Sequence, residues 1–161
     1  MSLPEDPNRS TLVLGLGNPL HQDDGLGVVA VQLLSERELP PGVSVKEAGT
    51  PGWGLASWFE GWSHVILIDA ACMGCSPGTW RRFGTEDVRL VGQREFYSLH
   101  EPGLADGLAL AEALDALPEE ITFYCIEPES TREGNALSPS VKRTVPEFVD
   151  HIYKELWKRH E

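Results

Sequence analysis

The chain has 161 residues, of which 25 are acidic and 13 are Lys or Arg, so its formal net charge is −12. This balance argues against a nucleic-acid partner, because that affinity depends on Lys and Arg neutralising phosphates. No apolar run approaches the roughly 20 residues that span a bilayer, and three cysteines do not make a disulfide framework. We therefore expect a cytoplasmic monomer that binds neither nucleic acid nor membrane. Residues 1–10 are expected to be a disordered lead-in without signal-peptide features.

Apolar runs alternate with helical patterns along the rest of the chain. The strands that these runs predict are 11–17, 43–48, 64–69, 79–83 and 121–126. The predicted helices are 24–35, a short one that ends near 60, 104–117, and a C-terminal helix marked by apolar residues from Phe148 to Trp157. Strands interleaved with helices are typical of an α/β fold. We expect a single-domain, three-layer sandwich with a mostly parallel, twisted sheet and helices on both faces.

A glycine-rich turn with two adjacent carboxylates follows the first predicted strand. A nucleotide-binding turn would keep this junction free of negative charge, so that phosphate could bind at the helix N-terminus. Asp23 and Asp24 stand there instead, which favours a cation. A single Asp at such a junction is more often a helix N-cap. With two in succession, we expect Asp23 to cap the helix and Asp24 to point into the crevice.

Three candidate metal ligands lie at or soon after predicted strand ends, where parallel sheets bind their ligands. Asp24 follows the first strand, Asp69 ends the third, and His100 precedes a later helix. Two carboxylates and one imidazole suit a borderline divalent metal such as nickel, zinc or iron, with positions left for water or substrate. Structural roles compete with this interpretation, because Asp69 could close an Asx turn and a lone His is more often structural.

The spacing Cys72-Met-Gly-Cys75 directly follows the Asp69 strand. It could be a redox pair or a source of soft metal ligands. Only one such pair exists, and it does not open a helix as in a thioredoxin. We favour chance thiols in a loop.

The run Gly15-Leu-Gly-Asn-Pro-Leu-His-Gln-Asp-Asp-Gly-Leu-Gly resembles the N-terminal signature of the hydrogenase maturation proteases. Four further matches follow in the same order: Gly49-Thr-Pro-Gly, Val65-Ile-Leu-Ile-Asp-Ala, His100-Glu-Pro-Gly-Leu-Ala-Asp and Pro128-Glu-Ser. The resemblance covers roughly residues 11–145. It implies that residues 11–161 form one protease domain.

The family resemblance implies a nickel-dependent endopeptidase that trims the C-terminus of the precursor of a nickel–iron hydrogenase large subunit. The family's metal-contacting positions fall on Asp24, Asp69 and His100, and the two carboxylates are also the catalytic candidates. Many members carry Glu where this chain has Asp24. The nickel would be carried by the substrate, and other divalent metals could substitute in vitro. The expected substrate-binding residues are Gly49, Thr50, Pro51 and Gly52.

Two alternatives use the same Asp/Asp/His site. One is a non-catalytic module that senses or binds nickel. The other is a stand-alone metallohydrolase that owns its metal.

Overall fold

The computed structural model describes residues 10–87 and 103–160. Within them, five strands form one sheet in the order β2-β1-β3-β5-β4. The strands are β1 (Thr11–Leu16), β2 (Val43–Gly49), β3 (His64–Ala70), β4 (Trp80–Phe83) and β5 (Glu120–Ile126). All neighbouring pairs are parallel except β4 with β5, which is antiparallel at the sheet edge. The predicted mostly parallel sheet is confirmed.

Helices follow the strands in the predicted order, although the one predicted for 104–117 ends at Ala113, shortly before Asp115 takes a positive φ. Those with described bounds are α1 (Leu26–Ser35), α2 (Ala56–Phe59), α3 (Leu104–Ala113) and α4 (Pro139–Arg159). Single 3₁₀ turns, Gln22–Gly25 and Gly52–Leu55, precede α1 and α2, so the first helix begins two residues later than predicted. In the part of the chain that the structure describes, no helix is long and apolar enough to cross a membrane.

The sheet is covered by a hydrophobic core on each face, as the three-layer prediction requires. Strand side chains alternate between faces, so Leu12, Leu14 and Leu16 pack toward α2 and α3, while Val13 packs toward α1 and α4. All residues of β1 and β3 are buried. This double burial explains why the central strands read as continuous apolar runs.

Helix α1 begins directly on the carboxyl ends of β1 and β3. A Cβ at Gly27 would lie 2.3 Å from the Leu16 carbonyl oxygen and 2.4 Å from that of Ile68. Only a glycine permits so close an approach. The 3₁₀ turn that carries the two aspartates is thereby placed at the strand ends.

Polar side chains are buried at the opposite, amino edge of the sheet. Ser10 is buried and its carbonyl accepts the His64 N–H at 3.1 Å, so this residue belongs to the fold, whereas the rest of the predicted lead-in lies outside the described residues. The His64 ring lies 2.9 Å from Thr122 Oγ1. Its burial and the nearby Arg159 guanidinium lower the pKa of His64 from 6.5 to about 4.

Candidate functional site at the carboxyl edge of the sheet

Asp24 and Asp69 both lie next to Gly17. Asp24 belongs to the 3₁₀ turn after β1, and Asp69 is the penultimate residue of β3. A Cβ at Gly17 would lie 1.9 Å from the Asp24 carbonyl oxygen and 3.3 Å from Asp69 Oδ1. Gly17 has a φ of +111°, which favours glycine. The fold therefore brings these two predicted site residues to one place.

Backbone donors hold both carboxylates at this edge. Asp24 is 2% exposed, and its Oδ2 accepts the Asn18 N–H at 3.0 Å. Asp69 is 5% exposed, and its Oδ1 accepts the Ala70 N–H at 2.8 Å. Burial of a charged group is costly unless hydrogen bonds or a bound ion compensate it. Two buried carboxylates at a strand-end edge are consistent with a site for a cation.

His100, the third predicted ligand, lies outside the described residues. Within residues 10–87 and 103–160, no group of three or more His, Cys, Asp or Glu could hold a metal ion. The described residues thus contribute two carboxylates to the candidate site. The three-ligand metal site stays a prediction.

The prediction that Asp23 caps a helix is wrong. Its side chain makes no capping hydrogen bond to the 3₁₀ turn or to α1. Asp23 is fully buried, and its Oδ2 accepts the N–H groups of Glu129 and Ser130 at 2.9 and 3.0 Å and the Ser138 hydroxyl at 2.7 Å. Its Oδ1 accepts the Ser138 N–H at 2.7 Å. Asp23 therefore joins the turn after β1 to the chain that follows β5.

Backbone pairing reinforces the same junction. Gln22 donates its N–H to the Gly134 carbonyl at 2.8 Å, and Gly134 donates to the Leu20 carbonyl at 2.8 Å. The Asp23 N–H reaches the Ser130 carbonyl at 3.1 Å. The segment that carries Asp24 is thus fixed along its length by the chain after β5.

Glu127 is a structural residue of the site edge that the sequence analysis missed. It is 7% exposed, and its carboxylate accepts the N–H of Met73 at 2.7 Å and the N–H of Cys75 at 3.0 Å. The sequence does contain a signal for Glu127, since it is an acidic residue directly after the apolar run of β5. Glu127 holds the loop that follows Asp69.

The three cysteines lie in the described ranges and are free thiols. Partial burial and the charge of Glu127 raise the pKa of the Cys72 thiol, and burial raises that of Cys125. Cys75 Sγ accepts a hydrogen bond from Arg81 Nε at 3.3 Å. A raised pKa disfavours the thiolate that redox or metal chemistry requires. For Cys72 and Cys125 the raised pKa is consistent with thiols that have no redox or metal role.

The predicted substrate-binding turn, Gly49 to Gly52, leaves β2 beside the two aspartates. The Gly17 N–H donates to the Gly49 carbonyl at 2.8 Å, which ties the exits of β1 and β2 together. Thr50 is exposed, and a Cβ at Gly49 would meet no atom within 4 Å. The next residue, Trp53, is 56% exposed, and Leu20 on the neighbouring loop is 64% exposed. Contact with a substrate stays a prediction for this turn.

A family model described as hydrogenase maturation protease (HycI) matches residues 28–155. The chain belongs to the hydrogenase maturation protease family. The matched range begins after Asp24 and includes Asp69. Structural similarity extends further, since solved structures of family members cover more than nine-tenths of the chain.

The chain aligns with different shares of the length of two named relatives. The hydrogenase expression/formation protein HoxM of Azotobacter vinelandii is 37% identical over 134 residues, which are 81% of this chain and 64% of that protein. The hydrogenase 2 maturation protease of Escherichia coli is 31% identical over 147 residues, 90% of this chain and 89% of that protein. The chain thus spans less than two thirds of the length of HoxM.

Two solved structures share this fold closely. The hydrogenase maturating endopeptidase HybD of Escherichia coli aligns with a TM-score of 0.81 and 30% identity, covering 92% of this chain and 93% of that one. The [NiFe] hydrogenase maturation protease HybD of Thermococcus kodakarensis aligns with a TM-score of 0.75 and 34% identity, covering 91% and 99%. The predicted α/β fold and the family resemblance are both confirmed.

Proposed function

We propose that this chain is an endopeptidase that removes a C-terminal peptide from the nickel-loaded precursor of a nickel–iron hydrogenase large subunit. The observation that carries the proposal is that two buried carboxylate residues, Asp24 and Asp69, both lie next to Gly17 at the carboxyl edge of the sheet. Membership of the family supports it, as do the names of relatives that are hydrogenase maturation proteases. We further propose that the chain acts as a monomer in the cytoplasm. Its free thiols fit a reducing compartment.

We assign Asp24, Asp69 and His100 to contact the nickel that the precursor brings. Carboxylate oxygens and an imidazole nitrogen fit a borderline divalent ion, and three protein donors leave positions for the substrate. Nickel held at this edge supplies Lewis-acid polarisation of the scissile carbonyl. One of the two carboxylates accepts the proton of the attacking water as the C–O bond forms. That proton then goes to the leaving amine as the C–N bond breaks.

We assign the turn Gly49 to Gly52 to the substrate peptide. Thr50 is exposed and offers its backbone hydrogen-bonding groups to an extended chain, and a Cβ at Gly49 would meet no atom within 4 Å. Trp53, directly after this turn, and Leu20, four residues after β1, add exposed apolar surface. A peptide placed along this turn would bring its scissile bond to the two aspartates.

The relatives favour a protease over a nickel-binding module. The Escherichia coli relative, of which the chain covers 89%, is named a maturation protease, and the solved structure from the same organism is called an endopeptidase. Neither name describes a sensor or carrier of metal. A stand-alone metallohydrolase differs in owning its metal, so the source of the nickel separates it from the proposal.

The test is incubation of the purified chain with precursor large subunit, with and without inserted nickel. We expect mass spectrometry to detect a short C-terminal peptide only from the nickel-loaded precursor. Asp24→Asn and Asp69→Asn should each lower the rate on the order of 10³-fold, because each removes a charged metal contact and one of the two also removes the proton acceptor. Asp150→Asn is the matched control, since Asp150 lies on α4 and pairs with Arg37 and Lys154.

Other outcomes identify the alternatives. Binding of the nickel-loaded precursor without cleavage would indicate a nickel-binding module. Metal-dependent hydrolysis of unrelated peptides would indicate a stand-alone metallohydrolase. Either result overturns the proposal.

A further inference from the structure

We propose that Asp23 and Glu127 are positioning residues that together set the separation of Asp24 and Asp69. Both act through the β5 exit loop, defined as residues 127–138. This inference rests on the proposed function, because it assigns a catalytic consequence to their contacts. Neither side chain is placed in contact with substrate.

Asp23 links the β5 exit loop to the turn that carries Asp24, its neighbour in sequence. Its carboxylate accepts four hydrogen bonds, from the N–H groups of Glu129, Ser130 and Ser138 and from the Ser138 hydroxyl. Hydrogen bonds to a buried carboxylate are charge-assisted and short, so this anchor is stiff. Because Asp23 and Asp24 share one 3₁₀ turn, a shift of the anchor moves Asp24.

Glu127 links the other end of the same loop to the chain that follows Asp69. Its two oxygens accept the N–H groups of Met73 and Cys75. The Ala71 N–H donates to the Ile126 carbonyl at 3.1 Å, which continues the pairing of β3 with β5 past Asp69. Strand pairing and the Glu127 carboxylate together fix the position of the end of β3, and so of Asp69, relative to the exit loop.

Contacts with neighbouring segments hold the β5 exit loop at both ends. The Ser140 hydroxyl donates to Glu129 Oε2 at 3.0 Å, which joins the start of α4 to the loop. At its other end, the Glu127 N–H donates to the Thr79 carbonyl at 2.8 Å, and the Gly78 N–H donates to the Glu127 carbonyl at 2.9 Å. The loop is thus tied to its surroundings at both ends. Asp23 and Glu127 therefore tie the turn that carries Asp24 and the chain that follows Asp69 to the same loop.

The test uses the isosteric variants Asp23→Asn and Glu127→Gln. An amide presents one oxygen and one NH₂ group, so either orientation sets the NH₂ against at least one backbone N–H. A displacement of a catalytic group by about 1 Å can cost about 100-fold in rate. We expect kcat for the nickel-loaded precursor to fall about 10- to 100-fold in each variant, with KM changed less than about twofold.

Tyr124→Phe is the matched control for general destabilisation. It removes a hydroxyl on β5 that donates to Glu155 Oε2 at 2.6 Å, away from the carboxyl edge. We expect this variant to keep the wild-type kcat. An equal loss of kcat in Tyr124→Phe would show that any weakening of β5 suffices and would overturn the inference.

Amide hydrogen exchange gives a readout that does not depend on the proposed function. The Asn18 N–H donates to Asp24 Oδ2, and the Ala70 N–H donates to Asp69 Oδ1. We expect exchange at Asn18 to rise at least about tenfold in Asp23→Asn, exchange at Ala70 to rise similarly in Glu127→Gln, and neither to change in Tyr124→Phe. Unchanged exchange at both amides would overturn the inference, even if the wild-type chain cleaved no precursor.

A milder variant keeps the inference testable if Asp23→Asn does not fold. Ser138→Ala removes only the hydroxyl, one of the four donors to Asp23, and leaves the Ser138 N–H in place. We expect the same direction of change in kcat and in exchange at Asn18, with a smaller amplitude. Wild-type values for both in Ser138→Ala would contradict the positioning role of Asp23.

Discussion

Gly17→Ala should abolish most precursor cleavage without removing a polar group. The new Cβ would lie 1.9 Å from the Asp24 carbonyl oxygen, whereas real Cβ atoms essentially never approach within 3.0 Å of another atom. The turn that carries Asp24 must therefore retreat by about 1 Å, and a misplacement of that size can cost about 100-fold in rate. The positive φ of Gly17 adds about 1–2 kcal/mol of backbone strain. Overpacking adds about 1–3 kcal/mol more.

The assay compares kcat/KM for the nickel-loaded precursor with unfolding by denaturant. Gly61→Ala is the control, because Gly61 also has a positive φ, of +85°, but lies between α2 and β3 at the amino edge of the sheet. We expect Gly61→Ala to lose stability while retaining wild-type kcat/KM. Wild-type cleavage by a folded Gly17→Ala variant would refute the reasoning that Gly17 sets the position of the two aspartates.

Two further predictions concern acid stability and substrate contact. His64 has a pKa of about 4 in the fold against 6.5 ordinarily. Between those pH values the unfolded chain binds a proton that the folded chain does not. The contribution of neutral His64 to the free energy of unfolding is therefore complete above pH 6.5, and the free energy of unfolding falls by up to about 3 kcal/mol as the pH is lowered toward 4. Urea unfolding of His64→Gln should lack this part of the pH dependence, and an unchanged slope would contradict the cause assigned. Leu20→Ala and Trp53→Ala should each raise KM about fivefold by removing apolar contact with the peptide. Leu114→Ala is the control, since Leu114 is 63% exposed against 64% for Leu20, and an equal rise in KM there would contradict the assignment.

The core strands were predictable to within about a residue because burial on both faces leaves an unbroken apolar run. The last helix was predictable only in part. Its apolar periodicity is clear from Phe148 to Trp157, but α4 begins at Pro139. The first turns carry Ser140, Thr144 and two valines, which have modest helix propensity, and Pro146 lies inside the helix, so their local pattern does not favour a helix. Contacts with the rest of the fold, which bury Val141 and Val145, override that preference.

The carboxylate pair was predictable because the carboxyl ends of parallel strands meet at one edge of a sheet. Asp24 and Asp69 therefore lie close together because β1 and β3 are neighbouring parallel strands. The role of Asp23 was not predictable in this way. Its partners lie 106 to 115 residues away and are mostly backbone N–H groups, which leave no mark in the sequence. The N-cap preference of Asp predicted a contact with the nearest helix, whereas in the folded chain its hydrogen-bond donors are distant in sequence.

The long sequence separation between Asp23 and Ser138 has a consequence for the newly made chain. The turn after β1 leaves the ribosome early, but its last hydrogen-bond donors arrive only when residue 138 has been synthesised. Until then the turn that carries Asp24 lacks its anchor, although β1, β2 and β3 can already pair. The turn that carries Asp24 thus gains its full set of anchoring hydrogen bonds only after residue 138 has been made, well after the three strands β1, β2 and β3.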